Sequence, residues 1–300
     1  MKTSIFTLAK LLLSYLYLFI FCSCVSYQYS YVEKDKPLFS ENYLPEDRAN
    51  SENTDTIKVV SFNIEFSLKV KKAIDLIFNS TLRDADIFLL QEMDETGAAK
   101  IAEELQMSYI YYPSIYHPKH KKNVGNAILT SYPITKSNKL ILPHPSSYPK
   151  ISKWKNYKFN KIASQAIIEV QGKKISLYSI HTAAFNTTQN KLECSQEIVD
   201  HAQENQSEYT LVGGDFNSMG QADISASIGP FLEDNYIWSS KSVGYSGNHK
   251  RALLSFIPLE AFVLDHILSK GFDVISRGKI SAEGVSDHDA IWVRLVIRRN

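Results

Sequence analysis

Apolar residues come in short runs along this chain, and their spacing switches repeatedly between the strand and helix periods. Ile57-Lys58-Val59-Val60-Ser61-Phe62 is rich in β-branched residues and predicts a buried strand. Val70, Ala73, Ile74, Ile77 and Phe78 recur at helical spacing and predict an amphipathic helix over 69–79. Residues 86–90 form a second short apolar strand, and Ala98, Ile101, Ala102 and Leu105 mark a second helix. A third strand is expected at 126–131, closed by Tyr132 and Pro133. Residues 162–170 and 174–180 read as two strands joined at Gln171-Gly172, a hairpin signal. Leu192, Ser195, Ile198, Val199 and Ala202 mark a third helix; residues 209–213, 262–268 and 290–297 read as strands. Crossovers and hairpins together imply a mixed-sheet α/β domain, continuous from about 57 to 300.

The first 56 residues break this pattern. Lys2 and Lys10 precede the apolar run from Leu11 to Phe21, a charged region followed by an apolar one of signal-peptide length. The run is too short for a comfortable membrane span. It ends in Phe21-Cys22-Ser23-Cys24, and small Ser23 before Cys24 resembles a bacterial lipobox. Residues 1–23 therefore read as a lipoprotein-type signal, with Cys24 lipidated and the protein held at the cell envelope, outside the cytoplasm. Simple secretion and an uncleaved anchor remain as alternatives. Residues 24–56 lack apolar periodicity and read as a tether, although Tyr27, Tyr29, Tyr31 and Tyr43 place part of it on the domain surface. From Val25 to Thr56 a flexible coil would span about 30 Å.

Composition adds two exclusions. Removing residues 1–23 takes away two lysines and no acid, leaving 31 basic against 32 acidic residues, a net charge of −1. A near-neutral body carries no broad positive field for polyanions, so contact with nucleic acid or anionic lipid has to be local. The body keeps only Cys194 as a thiol, which excludes a disulfide-stapled fold.

Candidate chemistry lies where apolar strands stop. They end in acid, amide or imidazole groups at Ser61-Phe62-Asn63, Leu90-Gln91-Glu92, Ser179-Ile180-His181, Gly213-Gly214-Asp215-Phe216-Asn217 and Ser286-Asp287-His288, with Leu264-Asp265-His266 a less clear sixth. Taken singly, each has a bland explanation: a turn cap, a surface acid, a satisfied core histidine. Together they match the way α/β folds gather functional groups at strand ends. Several carboxylates buried in one place need a cation. Oxygen donors without thiolate select Mg²⁺, with Mn²⁺ or Ca²⁺ possible, over Zn²⁺. His288 beside Asp287 suits a general base oriented by a carboxylate, and His181 and Asn217 suit donors to a bound phosphate.

These segments, with Gly125-Asn126-Ala127-Ile128-Leu129-Thr130-Ser131-Tyr132-Pro133, resemble in order and spacing the motif set of the endonuclease/exonuclease/phosphatase superfamily, across about 57–297. That superfamily includes secreted deoxyribonucleases, abasic-site endonucleases, bacterial sphingomyelinases and inositol-polyphosphate phosphatases. The resemblance implies an α/β four-layer sandwich, two packed mixed β-sheets flanked by helices. It implies that Glu92 is the main metal carboxylate, with Asn63 beside it and Asp287 near the metal. It makes Asp215 and Asn217 the groups that orient the nucleophile and contact the phosphate. His288 becomes the base or phosphate-binding imidazole with Asp265 as its partner, and His181 a phosphate contact. His266 stays unassigned. His181 stands where abasic-site endonucleases usually carry a tyrosine, which points to the other branches.

The expected activity is Mg²⁺-dependent hydrolysis of a phosphodiester, in lipid or nucleic acid, outside the cytoplasm. An inositol-type phosphomonoesterase and an extracellular nuclease stay open. A non-catalytic surface-binding protein is disfavoured, because competent residues fill the core catalytic positions. Two basic stretches bear on the substrate. One is 117–122; the other is Lys150, Lys153, Lys155, Lys158 and Lys161 interleaved with Trp154, Tyr157 and Phe159. Each is either a local contact for anionic substrate or a solvated, lysine-protected edge.

Overall fold

A computed structural model describes residues 31, 33, 36–46, 56–143, 160–184, 186–247 and 262–298. Its elements run β1 (Phe39–Asn42), β2 (Thr56–Asn63), α1 (Val70–Phe78), β3 (Ile87–Met93), α2 (Glu95–Leu105), β4 (Ser108–His117), β5 (Lys122–Thr130) and β6 (Ile134–Ile141). They continue as β7 (Ile162–Val170), β8 (Lys173–His181), α3 (Thr188–Glu204), β9 (Tyr209–Asp215), α4 (Gln221–Glu233), β10 (Ile237–Trp238), β11 (Asp265–Lys270), β12 (Phe272–Ile280) and β13 (Ala290–Ile297).

The strands form two sheets, in the orders β1-β4-β5-β3-β2-β13-β12 and β10-β11-β9-β8-β7-β6. One pair in each is parallel, β2 with β3 and β8 with β9; the rest are antiparallel. The two sheets pack on each other through Ile57, Val59, Ile87, Leu89 and Ile128 from the first and Ile168, Ile175, Leu177, Leu211 and Ile267 from the second. The opposite face of the first sheet, with Val60, Phe62, Phe88 and Leu90, is covered by Ala73, Ile74 and Ile77 of α1 and Ala98, Ile101 and Ala102 of α2. On the second, Tyr178, Ile180, Val212 and Leu268 pack under Ile198 and Val199 of α3 and Ile228 and Phe231 of α4. Central strands covered on both faces read as near-continuous apolar runs, which is why they were legible. The result is the α/β four-layer sandwich that the motif resemblance implies.

Three expectations need correction or extension. Residues 39–42, read as tether, are an edge strand paired with β4. Phe39 packs near the Tyr111 ring and Tyr43 stacks on Tyr109, so the aromatic excess of that segment goes into docking. The folded unit thus begins before residue 57. Strands β4, β6 and β12 and helix α4 were not foreseen. Helix α4 carries Gly229 and Pro230, which read as a breaker, yet its buried Phe231 and Ile228 hold it in place. The strand read over 262–268 begins only at Asp265. The Gln171-Gly172 hairpin is present, with both residues at positive φ as a two-residue turn requires. Cys194 is a buried free thiol, its pKa pushed up to about 12 by burial. Residues 1–24 and the lysine–aromatic stretch at 150–159 lie outside the described residues.

One glycine shows how tightly the first sheet is built. A Cβ on Gly125 would lie 2.0 Å from the Tyr112 carbonyl oxygen and 2.6 Å from the Pro113 Cα, both backbone of β4. Strand β5 is held on both sides by β4 and β3 and has nowhere to move. Gly125→Ala is expected to cost about 3 kcal/mol or more in urea unfolding, whereas Gly220→Ala, with open space around its Cβ, should change stability by under about 1 kcal/mol. Equal effects would show that this close approach is not limiting.

Candidate active site

The two sheets deliver polar side chains to one end of the sandwich through strand register. In the first sheet Asn63 at the end of β2 lies opposite Gln91 on β3. In the second, His181 at the end of β8 lies opposite Asp215 on β9, and Asp215 also lies opposite Asp265 at the start of β11. Buried amides and hydroxyls then join the sheets. Gln91 Nε2 donates to Ser179 Oγ (3.0 Å), and Ser179 Oγ donates to the Leu90 carbonyl (3.1 Å). Asn126 Nδ2 donates to the carbonyls of Ile162 (2.9 Å) and Ser179 (3.1 Å). Asn63 Nδ2 donates to Asp215 Oδ2 (3.0 Å), and Ser286 Oγ donates to the Asn63 carbonyl (2.6 Å).

The Gly213-Gly214-Asp215 sequence follows from this closeness. Gly214 has φ +156°, and a Cβ there would meet the Ile180 carbonyl oxygen at 1.9 Å. The loop after Asp215 turns through Asn217 at φ +51°. Asp215 Oδ1 accepts from the Asn217 backbone N–H (2.8 Å), Asn217 Nδ2 donates to the Thr182 carbonyl (3.0 Å), and buried Lys191 Nζ donates to the carbonyls of Phe216 (3.1 Å) and Asn217 (2.6 Å). Glu92 also sits in the left-handed region, at φ +55°, inside a β-bulge between Leu90 and Met93. The bulge turns its carboxylate toward the second sheet. Non-glycine residues rarely hold this conformation away from functional positions.

His288 and Asp265 form a tight buried pair, His288 Nδ1 to Asp265 Oδ2 at 2.8 Å. His288 Nε2 lies 3.6 Å from Asp215 Oδ2. Burial works against charge on His288, but the carboxylates of Asp265, Asp215 and Asp287 outweigh it and hold its pKa well above the ordinary value. Burial likewise pushes Asp265 up to about 6, against the opposing charge of His288. Asp215, Asp265 and His288 lie within 4.8 Å of one another, but the Nδ1 of His288 spends its proton on Asp265 and is not available as a ligand.

His181 lies 3.6 Å from Asp215 Oδ2 and 3.9 Å from Glu92 Oε1. Lys161 Nζ stands 3.3 Å from its Nε2. Burial lowers the Lys161 pKa, against the charges of Glu92 and Asp215. Burial, then the charges of Lys161 and His288, hold the His181 pKa well below its usual value. His181, expected as a phosphate contact, has Lys161 Nζ and the carboxylates of Asp215 and Glu92 around its Nε2. Lys161 was placed in a basic stretch from sequence and not in the site. Its signal was its position immediately before the apolar run of β7.

Glu92 receives the Phe66 N–H on Oε2 (3.2 Å). Burial pushes its carboxyl up to about 7, with Asp287 and Asp215 adding to the effect and Lys161 and His288 opposing it. Asp287 is half-buried and makes no hydrogen bond among the described residues. Four carboxylates thus face Lys161 and His288, the cations that act on Glu92 among the described residues. That surplus of buried negative charge, carried by oxygen donors, fits a hard divalent cation. The residues expected to hold it, Glu92, Asn63 and Asp287, all belong to this strand-end cluster: Asn63 is bonded to Asp215, and the charge of Asp287 acts on Glu92. His266 is buried between the edges of Phe216 and Trp238, with Nε2 3.3 Å from Ser218 Oγ and its pKa lowered to about 3 by burial, so it packs the floor of the site.

The endonuclease/exonuclease/phosphatase family model matches residues 60–288, more than half of the sequence, and spans every one of these groups. The chain belongs to the endonuclease/exonuclease/phosphatase family. It is an enzyme that hydrolyses phosphoester bonds. Similar solved structures include a family member from Bacteroides vulgatus (17% identity, TM-score 0.63, covering 81% of this chain and 99% of that one). The human nocturnin catalytic domain with a bound sulfate anion aligns at 17% identity and TM-score 0.59, over 83% of this chain and 97% of its own. Sphingomyelinase C from Streptomyces griseocarneus aligns at 12% identity and TM-score 0.55, over 80% and 99%. At these identities they share the fold. No curated protein matches the chain. Members of this family typically depend on a divalent metal.

The raised Glu92 pKa carries a prediction for the metal-free protein. A carboxyl raised from 4.5 to about 7 binds more protons folded than unfolded, so its ionisation costs stability as pH rises across that window. In chelator, Glu92→Gln should melt above the wild type, by a margin that widens from about pH 4.5 to about pH 7. Mg²⁺ should raise the melting temperature of the wild type and leave Glu92→Gln unmoved. A variant that Mg²⁺ stabilises as strongly as the wild type would remove Glu92 from the metal site.

Proposed function

We propose that the protein is a Mg²⁺-dependent phosphodiesterase, tethered by lipid on Cys24 and acting outside the cytoplasm, with Mn²⁺ or Ca²⁺ able to replace Mg²⁺. The observation that carries the reading is the convergence of Glu92, Asp215 and Asp287 with the His288–Asp265 pair at the strand ends. The ion, when bound, supplies Lewis-acid neutralisation of a phosphoryl oxygen. The chain's own groups do the rest. Asp215 Oδ2, held by Asn63, is placed to accept a proton from an attacking water. The imidazolium of His288 donates to the phosphate as negative charge builds, and Asp265 fixes its ring and proton at Nδ1. Lys161 adds a second cation beside the phosphate, and the Asn217 loop sets the distance between nucleophile and phosphorus.

Substrate branches differ in what this chain offers them. Its relatives include, by name, a mannosyl-6-phosphatase from Bacteroides thetaiotaomicron and a sphingomyelinase C. A near-neutral body with an N-terminal export signal favours a diester presented at a membrane over duplex DNA, whose binding rests on many lysine and arginine contacts. Docking of β1 supports this, because only 14 residues lie between Cys24 and Phe39, so the domain works close to its anchor. An extracellular nuclease and an inositol-type phosphomonoesterase are the competing substrates to test.

Purified protein is expected to hydrolyse bis(p-nitrophenyl) phosphate faster than p-nitrophenyl phosphate in Mg²⁺ and to stop on chelation. Full turnover in chelator, or a preference for the monoester, would overturn the reading. His288→Ala should lower kcat by about 10²–10⁴ with folding intact; near-normal turnover would exclude His288 from the chemistry. Labelling with a fatty-acid analogue should vanish in Cys24→Ser and persist in Cys22→Ser. An unlabelled wild type would mean simple secretion.

A further inference from the structure

The hairpin joining β4 to β5 overhangs the carboxylate cluster. Its link to the site is Phe66, whose backbone N–H is bound by Glu92. Glu65, Phe66 and Ser67 all have positive φ, 36°, 56° and 52°. Three successive non-glycine residues in that region are costly and persist only when the surroundings hold them. Asn63 Oδ1 accepts the Glu65 N–H (3.1 Å), and Ser67 Oγ accepts the Asp94 N–H (3.0 Å). This left-handed turn seats the Phe66 ring under the hairpin, stacked on His120 (4.6 Å between centroids) and tilted against His117 (5.0 Å).

The hairpin tip is braced from its other side as well. The Tyr31 hydroxyl donates to Asn123 Oδ1 (2.6 Å) and its N–H to the Ser114 carbonyl (3.0 Å), while Lys122 pairs with Asp94 (2.8 Å). What the tip presents is one kind of charge. Residues 117–122 hold two histidines and three lysines and no acid. Lys119 and Lys121 are exposed and make no ion pair among the described residues. His117 Nδ1 accepts the His120 N–H (3.3 Å), which leaves Nε2 as its donor. Phe66, bonded through its N–H to Glu92 and packed by its ring against both tip histidines, sets the tip next to that carboxylate.

We propose that the β4–β5 hairpin tip, through Lys119, Lys121 and His117, is a second phosphate subsite beside the reacting centre, selecting substrates that carry another phosphate group near the scissile one. It rests on the phosphoester-hydrolase reading of the site and sharpens its substrate class. The body as a whole is near neutral, so a lone basic tip fixed against the catalytic centre acts on a local anion and not through a general field. Two lysines and an imidazole donor form charge-assisted hydrogen bonds with phosphate oxygens.

Non-hydrolysable ligands test this without relying on turnover. Binding of an alkane diphosphonate and of the matching alkyl monophosphonate is measured by calorimetry on the full chain at fixed Mg²⁺. The wild type is expected to prefer the diphosphonate by about tenfold or more. Lys119→Ala/Lys121→Ala should erase that preference, and Lys174→Ala, an exposed lysine at the opposite end of β8 from His181, should keep it. Equal affinity for both ligands in the wild type, or an unchanged preference in the double variant, overturns the subsite. Either failure leaves turnover of bis(p-nitrophenyl) phosphate, and so the hydrolase reading, standing. Competition by a dinucleotide with and without a terminal phosphate, and by inositol bisphosphate against monophosphate, then identifies the source of the second phosphate.

Discussion

Everything at the functional end of this protein follows from placing several carboxylates where water cannot solvate them. Removing an ionised carboxylate from water costs several kcal/mol unless a cation or hydrogen bonds repay it. The fold meets part of that cost from its own chain. Backbone and side-chain amides reach Asp215 and Glu92, His288 pairs with Asp265, and half-buried Lys161 stands beside His181. The part left over appears as a Glu92 carboxyl raised to about 7. Under the proposed function a divalent ion would complete the balance, and the imbalance that makes the metal-free site costly would make the loaded site electrophilic.

The two sheets are the means of delivery. Each contributes one parallel pair whose strands stop at the same level, Asn63 with Gln91 and His181 with Asp215. A one-residue slip in either pair would turn these side chains to the opposite face. Gln91, Ser179 and Asn126 tie the two sheets together, and Ser286 ties the β12–β13 connection to β2, so polar groups that look like site residues in the sequence are in fact joints. Asp289, two residues after Asp287, is another: it accepts the Ala282 N–H and pairs with Lys279, fixing the turn that aims His288.

Much of this was legible because each site residue interrupts an apolar run at the end of a strand, and strands buried on both faces announce themselves by composition. What stayed hidden had a different physical origin. Lys161 lies just before β7 and was indistinguishable from the surface lysines around it, because its partner His181 and the carboxylates whose charge acts on it, Glu92 and Asp215, are far away in sequence. Strand β12, on an edge, alternates exposed and half-buried residues after its buried Phe272, and β6 is largely polar, so neither carries an apolar run. The edge strand β1 is four polar or aromatic residues, docked by tyrosine and phenylalanine rings whose partners sit on β4. Helix α4 was masked by its own Gly229 and Pro230.

The claim on which the rest depends is that a divalent ion sits against Glu92 at the junction of the two sheets. Anomalous diffraction from crystals grown with Mn²⁺ tests it without reference to any substrate. The account predicts a peak about 2.2 Å from a Glu92 carboxylate oxygen, facing Asn63 and Asp287, with the His288–Asp265 hydrogen bond unbroken. A peak centred instead on His288 Nδ1 and Asp265, or a Glu92 carboxylate with no ion beside it at saturating Mn²⁺, would contradict it.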